Sequence, residues 1–156
     1  MSHRSRLRAG AGALLCGLIA APLAALAAVN PPAAGSTKIP EEDYHGIPYA
    51  TGGISPDEAA AYRAQSNQFS LALEVLEKTP NNKRDEFTAG AQVQIRQGTK
   101  TVFDSKTGGP FMLVRLDPGV YSVEATLGAR TLQKASIHVS AGKTTHETFE
   151  FPAHTD

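Results

Sequence analysis

Apolar and polar residues alternate along much of the second half of the chain, and this alternation predicts short β-strands. Residues 69–75, 91–95 and 121–127 each place an apolar side chain at every second position. A period of two is typical of a strand with one buried side and one solvent-facing side. Gly, Pro and Asn residues mark turns between these runs. The pattern predicts seven short strands in two packed antiparallel sheets, an all-β sandwich.

The same alternation defines a predicted core. Large apolar side chains at the inward positions are enough to support a single small sandwich over residues 67–152. The predicted inward side chains are Leu71, Leu73, Val75, Val93, Ile95, Phe111, Leu113, Tyr121, Val123, Leu127, Ile137, Val139 and Phe149.

The middle of this region combines a strong turn signal with a conflict of side-chain parity. Residues 117–120 (DPGV) fit a type II turn, because proline presets φ at the first central position and glycine accepts the positive φ of the second. Phe111 and Leu113 have odd numbers and are predicted to point inward. A two-residue turn at residues 118–119 would pair Leu116 with the inward Tyr121, so Leu116 would also point inward although its number is even. A β-bulge at residues 114–115 would resolve the conflict. A turn that carries the chain from one sheet to the other would resolve it equally.

The last two predicted strands form a hairpin around residues 141–143. A three-residue loop there sets Val139 opposite Thr145, and opposite charges and hydroxyls then face each other across the strands. In this register His138 and His146 are neighbours on the exposed side. Two imidazoles at that spacing can share a transition-metal ion, although zinc usually takes three or four protein ligands. These histidines are therefore the candidate metal ligands, and two solvated histidines are the alternative.

The N-terminal residues 1–27 have the pattern of a secretory signal peptide. Three arginines within the first eight residues precede a long apolar stretch that ends in Ala25-Leu26-Ala27. Small residues at those positions are typical of a cleavage site, and an uncleaved membrane anchor is the alternative. Cleavage predicts a periplasmic or secreted protein with no stable membrane span. It also removes Cys16, the one cysteine of the chain, so packing without disulfides must hold the exported domain.

Two further segments precede the predicted sandwich. Residues 28–54 contain four prolines and four glycines with no regular apolar period, which predicts a flexible tether. Residues 55–66 predict a short helix, because Ser55 can cap it, Pro56 suits its first position and Glu58 completes a capping box. This helix is rich in alanine and carries Tyr62 as its only large apolar side chain, so it is expected to be a satellite of the sandwich.

Charge and motif content exclude several function classes. The whole chain has 15 basic and 15 acidic residues. Without the three arginines of the signal peptide the balance is mildly acidic, which argues against nucleic acid or an anionic membrane surface as a partner. No nucleophile elbow or metalloprotease helix motif occurs in the sequence. The pairs Gly52-Gly53 and Gly108-Gly109 lack the strand-to-helix context of a phosphate loop. The chain is therefore expected not to be an enzyme and to need no cofactor.

Three segments carry a resemblance to a known family. Residues 90–95 (GAQVQI), 107–129 and 137–151 together resemble a carboxypeptidase regulatory-like domain of the prealbumin-like β-sandwich group, in its small exported bacterial form. The resemblance implies a seven-stranded sandwich that serves as a non-catalytic folding or interaction module. The matching residues are Gly90, Ala91, Val93, Ile95, Gly109, Phe111, Leu113, Leu116, Pro118, Gly119, Tyr121, Val123, Gly142 and Lys143.

The sequence leaves the functional class open between two readings. One is an interaction module or structural accessory of the bacterial cell envelope whose partner is an envelope protein or a glycan. The other is a periplasmic protein that binds a small ligand, a glycan or a metal. An exposed apolar patch around Met112 and Val114 would favour the interaction module.

Overall fold

The computed structural model describes residues 37–79 and 85–155, with side chains described outside residues 85–87. The predicted signal peptide, residues 1–27, and the first part of the predicted tether lie outside the described residues. Most of the described chain is β-structure. The strands are β1 Glu42–Tyr44, β2 Ile47–Gly52, β3 Leu71–Lys78, β4 Asp85–Phe87, β5 Gln92–Gln97, β6 Lys100–Lys106, β7 Phe111–Val114, β8 Gly119–Leu127, β9 Arg130–Val139 and β10 Thr145–Phe151, with one α-helix, α1 Pro56–Gln65, and a 3₁₀ turn Ser66–Gln68.

The strands form two sheets. The six-stranded sheet has the order β1-β2-β7-β3-β10, with β4 also paired to β3, and the four-stranded sheet has the order β6-β5-β8-β9. Neighbouring strands are antiparallel except β10, which runs parallel to β3. The prediction of an all-β, two-sheet fold is confirmed. The described residues contain ten strands where the sequence predicts seven, and the parallel pair departs from the predicted all-antiparallel arrangement.

The main core lies between the two sheets. It contains the predicted inward side chains of β3, β5, β8, β9 and β10, including Leu71, Val93, Tyr121 and Phe149. Strand β7 contributes Met112 and Val114, which are completely buried. These two residues therefore form no exposed apolar patch, the feature that would have favoured an interaction module, because both side chains fill the interior of the sandwich.

A second apolar cluster covers the outer face of the six-stranded sheet. Phe111 and Leu113 belong to this cluster, together with Ala59 and Tyr62 of α1. The prediction that Phe111 and Leu113 point into the main core is thus wrong. Strand β7 is buried on both sides, so apolar residues occupy every position and the period of two that reveals a strand's inner side is lost.

Helix α1 begins as the sequence predicts. The Ser55 hydroxyl accepts a hydrogen bond from the Glu58 backbone N–H at 3.2 Å. The Glu58 carboxylate accepts one from the Ile54 N–H at 3.0 Å, one residue before the Ser55 N–H that the predicted capping box would use. Pro56 occupies the first turn. The helix is more than a satellite, because Tyr62 is fully buried and the helix closes the outer side of the six-stranded sheet.

The predicted tether covers residues 28–54, and its C-terminal part belongs to the sandwich. Strands β1 and β2 form a hairpin whose two turn residues, His45 and Gly46, have φ of 51° and 88°. Positive φ at both central positions defines a type I′ turn, which suits a two-residue hairpin. Strand β2 then pairs with β7 in the six-stranded sheet. The tether prediction is wrong for residues 42–52, because they form β1 and β2, which the pairing of β2 with the distant β7 holds in the sheet.

Residues 115–118 carry the chain from the six-stranded sheet at β7 to the four-stranded sheet at β8. This crossing is one of the two resolutions offered for the parity conflict, and it is confirmed. The predicted type II turn is wrong, because Gly119 is not among the glycines with positive φ and instead begins β8. A Cβ atom at Gly119 would lie 2.9 Å from the Gln97 side-chain nitrogen.

The predicted hairpin of the last two strands is also wrong. Strand β9 pairs with β8 in the four-stranded sheet, whereas β10 pairs with β3 in the six-stranded sheet. The loop at residues 140–144 therefore crosses between sheets. The Thr144 hydroxyl donates to the Phe69 carbonyl at 2.8 Å, and the Thr145 N–H donates to the Ser70 carbonyl at 2.9 Å. These bonds fix the start of β10 against the segment that leads into β3.

Candidate functional site

A groove of about 300 Å³ lies on the outer face of the six-stranded sheet, beside the C-terminal end of α1. Its floor is apolar and its rim is polar, and the two sets come from four different elements. Such a combination is typical of sites that bind a ligand through a buried apolar group and orient it with a few polar contacts. Ala72, Phe111 and Leu113 form the floor, and Arg63, Glu74 and His146 belong to the rim.

The floor of the groove is held by contacts of the helix. The rings of Tyr62 and Phe111 are stacked with centroids 6.1 Å apart and planes inclined by 18°. The Arg63 guanidinium lies 4.9 Å from the centre of the Phe111 ring, close enough for a cation–π contact. Phe111 is therefore fixed by two neighbouring side chains of α1, and the groove is largely preformed.

The rim carries charges of both signs. Arg63 Nη2 lies 3.3 Å from Glu74 Oε1, and both side chains are partly exposed. A solvent-exposed ion pair of this kind contributes little to stability, so a charged ligand group can replace one partner at small cost. His146 lies on the same outer face, one strand further toward the sheet edge. The rim can therefore recognise a carboxylate through Arg63 or a cation through Glu74.

A network of hydroxyl groups supports the wall of the groove. The Tyr62 hydroxyl donates to the Thr51 carbonyl at 2.6 Å. The Thr51 hydroxyl donates to the Phe111 carbonyl at 2.9 Å and accepts from the Gly108 N–H at 2.8 Å. These bonds tie α1, β2 and the start of β7 together. The helix is thus fixed to the sheet by directional bonds as well as by apolar contact.

The two glycine pairs of the sequence meet behind this wall. A Cβ atom at Gly109 would lie 2.4 Å from the Gly52 carbonyl oxygen. Gly53 has φ of 93°, and a Cβ there would lie 2.4 Å from the Phe111 ring. The first pair does lie between a strand and a helix, since β2 ends at Gly52 and α1 begins at Pro56, so the expectation that it lacks a strand-to-helix context is wrong. The glycines allow β2 to pass close to the residues before β7 and so place Phe111 under the helix.

Tyr62 should make stability depend on pH in the alkaline range. Burial, with the carboxylates of Glu58 and Glu42, raises the pKa of the Tyr62 hydroxyl to about 12, above the value of about 10 in an unfolded chain. Between these values the unfolded chain loses a proton that the folded chain keeps. The stabilising contribution is therefore complete below about pH 10 and is lost as pH rises toward 12.

The expected result is that the free energy of unfolding falls more steeply between pH 10 and 12 in the wild type than in Tyr62→Phe. Urea denaturation at several pH values measures both slopes. Absorbance of the phenolate provides a control: the pKa values of Tyr49, Tyr62 and Tyr121 are all raised, and the ionisation near pH 12 should be absent in Tyr62→Phe. Equal slopes for the two proteins would contradict the assignment.

The two histidines predicted to bind a metal lie on different sheets. His138 is on β9 and His146 is on β10, and both side chains are exposed. The hairpin that made them neighbours is not formed. Across residues 37–79 and 85–155 there is no group of three or more His, Cys, Asp or Glu side chains that could hold a metal ion. The shared site stays a prediction without the pairing that suggested it, and His146 lines the groove instead.

The groove was not predicted from the sequence, which assigned Phe111 and Leu113 to the main core and His146 to a metal site. Ala72 offered the one usable signal, since a small side chain on a strand between larger apolar residues leaves space on that side. Arg63 and Glu74 are ordinary surface charges in sequence terms. They become a rim only because α1 packs across β3 and β7.

No protein-family model matches the chain, and no curated protein matches it. The fold and the groove therefore carry the functional argument. Within the part of the chain that the structure describes, no helix has the length and apolar character needed to cross a membrane.

Proposed function

We propose that this protein is a non-catalytic β-sandwich module of the bacterial cell envelope that binds a segment of another protein. The observation that carries the proposal is the groove beside α1, with its apolar floor and charged rim. The signal-peptide pattern of residues 1–27 supports a location in the periplasm or outside the cell. The resemblance to carboxypeptidase regulatory-like domains, which are interaction modules, supports a binding role.

The size of the groove favours a short polypeptide segment as its ligand. Pockets that enclose whole small molecules usually have volumes of about 300 to 1,000 Å³, and this groove of about 300 Å³ lies at the lower limit. One or two apolar side chains of a peptide would occupy it. Arg63 and Glu74 would then pair with charged groups that flank those side chains.

The tyrosines with raised pKa values support a binding role over acid–base chemistry. The hydroxyls of Tyr49, Tyr62 and Tyr121 all have raised pKa values. Each donates a hydrogen bond within the fold, to Glu42, to the Thr51 carbonyl and to the Asp117 carbonyl respectively. Their shifts therefore accompany structural bonds, whereas a catalytic centre typically places shifted groups around an open pocket.

A random peptide library displayed on phage tests this proposal. Ala72→Trp should fill the groove and Glu74→Lys should reverse one charge of the rim. Peptides selected on the wild type should bind both variants about tenfold or more weakly. Glu124→Lys makes the same charge reversal on β8 of the four-stranded sheet and should bind the peptides as the wild type does.

The outcomes separate the candidate ligands. Peptides that bind Ala72→Trp and the wild type equally would show that the groove is not their site and would contradict the proposal. If the wild type binds soluble glycans in place of peptides and Ala72→Trp does not bind them, the alternative of a glycan-binding periplasmic protein replaces the proposal of a peptide-binding module. Circular dichroism spectra of all variants must match the wild type for either conclusion.

A further inference from the structure

The free edge of β10 differs from the other sheet edges of the described chain. Among the described residues β1, β4, β6, β9 and β10 each pair with one strand only. Strands β1 and β4 are three residues long. The pairings of β6 and β9 contain register shifts, and Ser136 of β9 has a positive φ of 58°. Short edges and bulges hinder pairing with another chain, whereas β10 keeps an unbroken register with β3 over its whole length.

The main-chain groups of β10 alternate between its two sides. The Thr145 N–H bonds to Ser70 beside β3, so residues of odd number direct their main-chain groups toward β3. His146, Thr148 and Glu150 consequently direct their N–H and C=O groups to the open edge. Their side chains lie on the outer face, because Phe149 and Phe151 point into the core.

A charged side chain that would oppose pairing of this edge with another chain is compensated by an ion pair within the subunit. An inward-pointing charged residue on an edge strand opposes pairing with another chain, and Glu147 points inward. Its carboxylate, however, accepts a hydrogen bond from Lys134 Nζ at 2.7 Å. The Glu147 charge is therefore satisfied within the sandwich and leaves the edge of β10 available.

We propose that the free edge of β10 pairs antiparallel with β10 of a second copy of this chain, about a twofold axis at Thr148. In this register Thr148 faces Thr148 of the partner subunit, and His146 faces Glu150 of the partner subunit in both directions. Each of these is a pair in which both N–H···O=C bonds are exchanged. Thr–Thr pairs and pairs of a histidine with a carboxylate are favourable across antiparallel strands.

The outer-face side chains of β10 are therefore complementary to themselves about Thr148, which is the requirement of a twofold-symmetric interface. Glu150 Oε2 lies 3.1 Å from Lys78 Nζ, so its second oxygen can accept a hydrogen bond from His146 of the partner subunit. The pairing would join the two six-stranded sheets into one and place both grooves on a shared outer face. The inference does not rest on the proposed function, because it needs no ligand.

Charge exchange between the two copies provides the test. The protein, expressed with its own N-terminal segment and then purified, should be a dimer in sedimentation equilibrium. His146→Glu places two acidic side chains opposite each other, and Glu150→Lys removes the carboxylate partner. Each single variant should dimerise at least tenfold more weakly than the wild type. A mixture of the two variants should form a heterodimer preferentially, because Glu at 146 then faces Lys at 150.

Thr148→Pro is an independent variant, since it removes an N–H that points away from β3 and so spares the sheet within the subunit. It should be monomeric with a wild-type circular dichroism spectrum. A wild type that stays monomeric up to roughly millimolar concentration would overturn the proposal. A dimer that persists unchanged in His146→Glu and shows no preference for the mixed pair would overturn it as well. The variants at 146 and 150 keep the test decisive if Thr148→Pro fails to fold.

Discussion

Gly109→Ala is expected to destabilise the protein by about 3 kcal/mol or more, because overpacking against main-chain atoms cannot be relieved by a change of rotamer. The new Cβ would lie 2.4 Å from the Gly52 carbonyl oxygen and 2.5 Å from its carbonyl carbon. Neither strand can move away easily. Gly52 is paired with Phe111 across β2 and β7, and the Pro110 carbonyl accepts a hydrogen bond from Val75 at 2.8 Å.

Gly108→Ala is the matched control for this experiment. A Cβ at Gly108 would meet the Thr51 methyl at 3.5 Å, which is an ordinary contact. Its free energy of unfolding, measured by urea denaturation, should differ from that of the wild type by less than about 1 kcal/mol. If the two alanine variants prove equally stable, the close approach of β2 to the residues before β7 is not what requires glycine at position 109.

Tyr62→Ala is expected to cost about 3 to 5 kcal/mol, as truncations of buried aromatic side chains do. The substitution removes the ring stacked on Phe111 and the hydroxyl bonded to the Thr51 carbonyl. Urea denaturation followed by circular dichroism measures the loss. Because the ring also holds Phe111 at the floor of the groove, the remaining folded protein should bind selected peptides more weakly.

Tyr62→Phe separates the two contributions. The ring remains and only the hydrogen bond is lost, so the expected cost is about 1 to 2 kcal/mol, including that of a carbonyl left without its donor. Peptide binding should be close to that of the wild type. A Tyr62→Ala protein as stable as Tyr62→Phe would show that α1 is the loose satellite that its sequence suggests.

Both substitutions test the same structural idea, namely that β2, α1 and the start of β7 form one unit. The glycines let β2 lie close to the residues before β7, and the Thr51 hydroxyl links β2 to Phe111. Tyr62 of α1 donates a hydrogen bond to the Thr51 carbonyl of β2. A groove built on such a unit changes little when a ligand enters, which lowers the entropic cost of binding. Tyr62→Ala should therefore lower both the free energy of unfolding and the affinity for the selected peptides.

Local sequence patterns determined the strands of the four-stranded sheet and the beginning of the helix. Val93, Ile95, Tyr121 and Val123 alternate with polar residues because one side of their sheet faces water. The helix start at Ser55 follows from hydrogen bonds within a few residues. In both cases the information lies within a short stretch, so it can be read without knowledge of the rest of the chain.

Only the tertiary structure decided which strands are neighbours and where the groove lies. Alternation shows that residues 137–151 form strands, but it cannot show that β9 and β10 belong to different sheets, since either partner buries the same side chains. Residues 42–52 lack a regular pattern and become strands through pairing with distant β7. Strand β7 shows no alternation of apolar and polar residues, because both of its sides are buried. The groove arises where α1 crosses such strands, and its residues share no local signal because long-range packing alone brings them together.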